Sequence, residues 1–203
     1  MNTLIENKTI KTDHETLNSI IRSRRTIYAN NYINKPISEE LLVEIIANAT
    51  WAPTHKRTEP WRFIVLEGKH QEKLGEYMLG YYKEHLSEEN FPVSQYEHTL
   101  NYPKNATLVA VILQRSKRIK IPEWEEIAAV SCAVQNMWLS CTANEIGGYW
   151  DTSEAAITYG SKLDLLDNER CLGLFYMGYP DPTVDKPKSK RKPIHTKISI
   201  HSI

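Results

Sequence analysis

Arg24, Arg25 and Thr26 place two guanidiniums and a hydroxyl side by side, with Arg22 two positions earlier. Such groups make charge-assisted, bidentate hydrogen bonds to a phosphate or to the polar edge of a planar cofactor. Alone, the cluster reads first as a basic helix end that complements the helix macrodipole. A second candidate is the loop Ala52-Pro53-Thr54-His55-Lys56-Arg57-Thr58-Glu59-Pro60-Trp61. Its two prolines fix the ends of a polar segment that can hold backbone amides and side chains against a planar ligand. His195 and His201 have no Cys or carboxylate cluster at ligand spacing around them, so no metal site is expected. No acid–base pair or nucleophile triad stands out, and no catalytic side chain is assigned.

The elements that position these groups follow from periodicity. Asp13 can cap a helix through Ile20 and Ile21 that ends near the arginines. Ser38 caps a second, carried by Leu41, Leu42, Ile45, Ile46 and Ala49 at helical spacing. Trp61 to Leu66 is aromatic and β-branched and predicts a strand. Residues 69–86 predict a helix interrupted by two glycines, and 87–103 a loop with one helical turn. Thr107 to Leu113 is a continuous apolar run, which predicts a strand buried on both faces. Pro122 opens a long helix through Cys141, with Met137 and Trp138 in its core, stopped by Gly147-Gly148. Tyr149-Trp150 begins a short extended piece, Thr152 or Ser153 caps a helix over 155–159, and Cys171 to Pro180 is a strand ending in a turn. A Pro- and Lys-rich segment follows to Pro193, and Ile194, Ile198 and Ile200 suggest a last short strand. Helices alternating with strands predict an α/β or α+β sandwich.

Taken in order along nearly the whole chain, these features resemble the nitroreductase family. That family carries an Arg-Arg-Ser-type opening, then a Pro and a helix, then an Ala-Pro-Ser loop running through Gln-Pro-Trp into a strand. Here the matching residues are Arg24-Arg25-Thr26, Pro36, and Ala52-Pro53 through Glu59-Pro60-Trp61. Gly147-Gly148-Tyr149-Trp150 resembles the family's Gly-x-Gly-x-x-Trp element, Leu172 to Pro180 its penultimate strand, and Arg191-Lys192-Pro193 its basic stretch. The resemblance implies an α+β fold of three layers, a central mixed sheet flanked by helices, in an intertwined homodimer binding FMN at shared interfaces. It implies one domain over residues 1–203, with an excursion at about 76–104 over the cofactor and an extended tail from about 181.

Carried over by position, Arg24, Arg25 and Thr26 would hold the ribityl phosphate and the pyrimidine edge. Trp51 and His55 would reach the cofactor from the partner subunit. Trp150, Asp151 and Thr152 would line the isoalloxazine, Gly147 and Gly148 would allow close backbone approach, and Arg191 would be a second phosphate ligand, with Lys190 or Lys192 able to replace it. The implied activity is NAD(P)H-dependent, ping-pong hydride transfer through FMN to a nitroaromatic, quinone or other electron-poor acceptor. No Gly-x-Gly-x-x-Gly is present, which suits a nicotinamide (of NAD or NADP) that visits the flavin site without a domain of its own. Glu59 and Asp151 depart from the family pattern, where Gln and Arg are usual, and an Arg57–Glu59 pair could compensate for the first.

Composition excludes several classes. Lys and Arg total 25, as do Asp and Glu, so no global field draws nucleic acid or an anionic membrane, and an anion site must be local. Three separated cysteines suggest reduced thiols, and the first eight residues are too polar for a signal peptide; a cytoplasmic protein is expected. Two alternatives stand beside the enzyme: a non-catalytic FMN-binding sensor or store, and a nucleic-acid-binding protein using the run Lys186 to Lys192.

Overall fold

The computed structural model describes residues 12–66 and 68–201. The N-terminal segment read as too polar for a signal peptide lies outside them. Helix α1 (Asp13–Ser23) starts from Thr12, not Asp13: the Thr12 hydroxyl accepts from the Glu15 amide while the Glu15 carboxylate accepts from Thr12 N–H, a full capping box. None of its residues is buried. Ser38 caps α2 (Glu39–Ala49) through the Leu41 amide, as expected. Strand β1 (Trp61–Leu66), helix α3 (His70–His85), a 3-10 turn at Val93–Gln95 and helix α4 (Tyr96–Asn101) come next. The stretch expected to hold one helical turn thus holds a turn and a short helix. Then come β2 (Thr107–Gln114), the long α5 (Glu123–Ala143), β3 (Gly147–Asp151), α6 (Glu154–Thr158) and β4 (Glu169–Gly178).

The sheet order is β1-β2-β4-β3, and all three pairings are antiparallel. The expectation of a mixed sheet is corrected accordingly. The one parallel pairing among the described residues is an isolated bridge from Thr26 to Gly148. The last expected strand is also corrected: Ile194–Thr196 is a 3-10 turn, Ile194, Ile198 and Ile200 are exposed, and among the described residues no strand pairs with them.

Strand β2 is buried on both faces, and its alternation divides the core. Leu108, Ala110 and Ile112 face Leu74 and Met78 of α3 together with Tyr149 and Tyr176. Val109, Val111 and Leu113 face Leu42 and Ile45 of α2 together with Ala133, Val134 and Met137 of α5. Helices on both sides of one sheet give three layers. The loop from β2 to α5 closes on the buried Glu126 carboxylate, which accepts from Arg115 Nε at 2.8 Å and from Ser116 N–H at 3.1 Å.

The pairing of β2 with β4 slips between Ala110 and Ile112, so two residues of β4 oppose one of β2. Gly173 is in that bulge with φ +119°, a conformation closed to L side chains. A Cβ there would stand 2.1 Å from the Asp151 carbonyl oxygen and 3.1 Å from the Trp150 indole nitrogen. The bulge therefore lets β3 lie against β4 at the residues expected to meet a ligand. Gly173→Ala is expected to lower unfolding free energy by about 3 kcal/mol. Denaturant unfolding checks this, and a loss below about 1 kcal/mol would contradict the strain at the bulge.

Candidate functional site

α1 ends at Ser23, and Arg24 leaves the helix in extended geometry, turning its guanidinium back over α5. The guanidinium stacks on the Trp138 indole, 4.4 Å from the ring centroid. Its Nη1 is buried with no hydrogen-bond partner, and the described ion pairs leave it without a carboxylate. Burial, then the positive charges of Arg191 and Arg25, push its pKa down. The Arg24 guanidinium is thus partly desolvated, crowded by like charges and short of an acceptor.

The tail approaches the same place. A cleft of about 460 Å³ is lined by Ile21, Arg22, Arg24, Arg25, Gln135, Ser189 and Arg191. Arg191 reaches it through an extended segment, and its Nη1 donates to the Ser189 hydroxyl. Arg24 and Arg191, distant in sequence, thus meet as expected, whereas neither Lys190 nor Lys192 lines the cleft. Arg25 has a different task. Its Nε donates to the Pro187 carbonyl at 2.9 Å and its Nη1 to the carbonyls of Arg22 and Arg24, at 2.7 and 2.9 Å. It fastens the tail beside α1.

Thr26 pairs with Gly148, and the Ile27 amide donates to the Gly148 carbonyl at 3.2 Å, so the arginine segment is bonded to the start of β3. Gly147 and Gly148 are buried against protein. A Cβ on Gly147 would lie 2.9 Å from Ile27 Cβ, and one on Gly148 would lie 3.0 Å from the Phe175 ring. The close approach they permit is that of neighbouring side chains. At the far end of β3 the Trp150 indole N–H is buried without a partner, Asp151 accepts from the Ser153 amide at 2.9 Å, and Thr152 is exposed.

Trp51 and His55 do not join this group within the chain. Trp51 is 85% exposed just past α2. The His55 ring pairs with Glu125 at the first turn of α5, a position about 20 Å from Trp138 at the α-helical rise. Just past His55 the loop takes positive φ at Lys56, Arg57 and Glu59, and no Arg57–Glu59 ion pair forms among the described residues. Thr54 holds the turn, its hydroxyl accepting from the Glu59 amide at 3.2 Å.

Sequence reasoning missed Trp138 as a site residue. It packs against the core as expected, meeting Phe175 edge-on, and its indole is in addition the platform for Arg24, with its N–H buried without a partner. Gln135, one turn earlier on the same face, lines the cleft; that spacing was visible, but nothing in the sequence tied it to Arg24. Among the described residues no cluster of three His, Cys, Asp or Glu could hold a metal, and no helix is long and apolar enough to cross a membrane.

Residues 21–179 match the family model described as Nitroreductase family. YfhC of Bacillus subtilis (strain 168) is 28% identical over 194 residues, covering 92% of this chain and 94% of its own. The structure of a nitroreductase-like family protein from Bacillus cereus superposes with a TM-score of 0.76 at 24% identity, covering 95% of this chain and 99% of the other. That of the FMN-dependent nitroreductase NfnB from Mycobacterium smegmatis, in complex with NADPH, gives 0.72 at 17% identity, covering 93% and 99%. The chain is a member of the nitroreductase family.

Proposed function

We propose that the protein is an FMN-dependent NAD(P)H oxidoreductase. The observation that carries this reading is Arg24, which lines one cleft with Arg191 and whose Nη1 is buried without a partner. A phosphomonoester brings about two negative charges and several strong acceptor oxygens, which match the missing partners of these donors. Family membership and the relative NfnB, an FMN-dependent nitroreductase bound to NADPH, supply the flavin and the nicotinamide.

In this reading Arg24 and Arg191 hold the phosphate, with Arg25 keeping the tail in reach. Thr26 orients the neighbouring polar edge, and Trp150, Asp151 and Thr152 flank the ring at the end of β3. The chemistry that bound FMN would supply is two-electron transfer, from NAD(P)H and then, in ping-pong order, to a nitroaromatic, quinone or other electron-poor acceptor. The protein binds, orients and sets the local charge. The Asp151 carboxylate near the ring disfavours negative charge there, so anionic acceptors are expected to be the poorer ones.

Trp51 and His55 serve as cofactor contacts only through a second copy of the chain, and we propose a homodimer. Val43, Trp51 and Trp124 are 59%, 85% and 69% exposed around the contact of α2 with α5, and the tail from 182 carries exposed isoleucines. Large exposed apolar groups of this kind mark an interface. The tail's other reading, a nucleic-acid arm, has no comparable support, since Arg25 and Arg191 are engaged at the cleft. A cytoplasmic location follows from the NAD(P)H it would use.

The purified protein is expected to be yellow, or to take up FMN, and to bleach on anaerobic addition of NADH or NADPH. A colourless protein that takes up no FMN would remove the proposal, and bound flavin that never bleaches would leave a sensor or store. Arg24→Ala is expected to weaken FMN binding by about 2 kcal/mol, roughly thirtyfold, while apo-protein stability stays within about 0.5 kcal/mol, because the cation has no counter-charge to lose. Equal FMN affinity in variant and parent would exclude Arg24 from the site. Sedimentation should show a dimer, and removing residues 182–203 should shift it toward monomer.

A further inference from the structure

On the sheet face opposite α5 lies a second cavity, of about 290 Å³, between α3, α4 and the end of β3. Its aromatic walls are Tyr28, Tyr82, Tyr102 and Tyr149, and the Asp151 carboxylate stands at its edge. The rings are fixed by one another. Tyr28 meets Tyr149 edge-on at 5.1 Å, Tyr102 meets Tyr149 edge-on at 6.2 Å, and Tyr149 stacks on the buried Tyr176 at 4.7 Å. No Lys or Arg lines the cavity; His98 is its one other titratable group besides the phenols and Asp151. Asp151 uses Oδ1 to accept from the Ser153 amide, and Oδ2 has no hydrogen-bond donor among the described residues.

Burial first, with the Asp151 charge adding to it, raises the pKa of Tyr149 and Tyr176 and pushes that of Tyr102 up to about 12. The phenols therefore stay neutral, and the anionic charge of the cavity is concentrated on one carboxylate. Four tyrosine rings around a space, with one carboxylate at its edge and no ammonium or guanidinium, form an environment complementary to a soft organic cation. An ammonium of small hydration energy gains from the ring quadrupoles and from Asp151, whereas a neutral group of the same shape gains only burial.

We propose that this tyrosine cavity is a binding site for an organic cation, a quaternary ammonium or N-alkylated group, whose charge is met by Asp151 and by the surrounding tyrosine rings. The cavity is built from these side chains, and Asp151 is the residue it shares with the flavin surroundings proposed above.

Choline and its uncharged carbon isostere 3,3-dimethylbutan-1-ol have the same shape and differ in charge, so the pair isolates the electrostatic part. Calorimetric titration of the as-purified protein is expected to show choline binding at least about tenfold more tightly than the isostere. Asp151→Asn keeps the acceptor for the Ser153 amide and should cut that preference to about threefold or less. Tyr28→Leu, at the half-exposed rim, should weaken choline while leaving the isostere unchanged. Equal affinities for the two ligands, or no binding of either, would overturn the proposal. So would an unaltered preference in both variants, provided circular dichroism shows them folded.

Discussion

A guanidinium laid on an indole, with no carboxylate among the described residues to answer it, is the constraint around which this molecule is arranged. Arg24 loses part of its hydration over Trp138 and gains only the ring quadrupole, while Arg191 and Arg25 add repulsion. In the free protein this is an electrostatic cost, tolerated because the folded core elsewhere is well satisfied: Glu126 with Arg115, and Glu169 with Arg62 and Gln114. Preorganised positive charge of this sort favours an anion because the cost of gathering the donors is met on folding.

The sheet makes that arrangement possible by sending alternate residues of β3 to opposite faces. Gly148 and Trp150 point toward the α5 side, where Arg24 and Trp138 meet, and Tyr149 and Asp151 toward the tyrosine cavity. One five-residue strand thus borders two chemically different spaces, one basic and one acidic and aromatic. Gly173 couples them, since its bulge sets the distance between β4 and the end of β3. A balanced total charge conceals this division, which becomes apparent only when the strand is in register.

Much of the frame was legible in the residues. The uninterrupted apolar run of β2 could be satisfied only by burial on both faces, and the long α5 by its nearly all-round apolar surface. The pairing of Arg24 with Arg191 was also legible, though through resemblance and not through spacing. What was not legible depended on partners. Ile194, Ile198 and Ile200 carry strand-like residues, but a strand needs a neighbour and none of the described strands pairs with them. Thr12 and Glu15 spelled a capping box, yet Asp13 is an equally good cap by type, and only geometry chooses between them. Trp138 looks like core in any helical pattern; its second role exists because Arg24 leaves α1 in the right direction. The glycines before Tyr149 were expected to make room for a ligand, and they make room for Ile27, Tyr32 and Phe175.

The extended tail has a consequence in time as well as in space. Residues 182–201 are exposed throughout and contain a single 3-10 turn, so they contribute almost nothing to the apolar collapse that forms the domain. Their attachment beside α1 is the reach of Arg25 to one carbonyl, with Arg191 beyond it. Folding can therefore finish around β2 and α5 while Arg191 is still free in solution. The basic cleft is complete only when the tail, which the core does not need, has been brought beside α1.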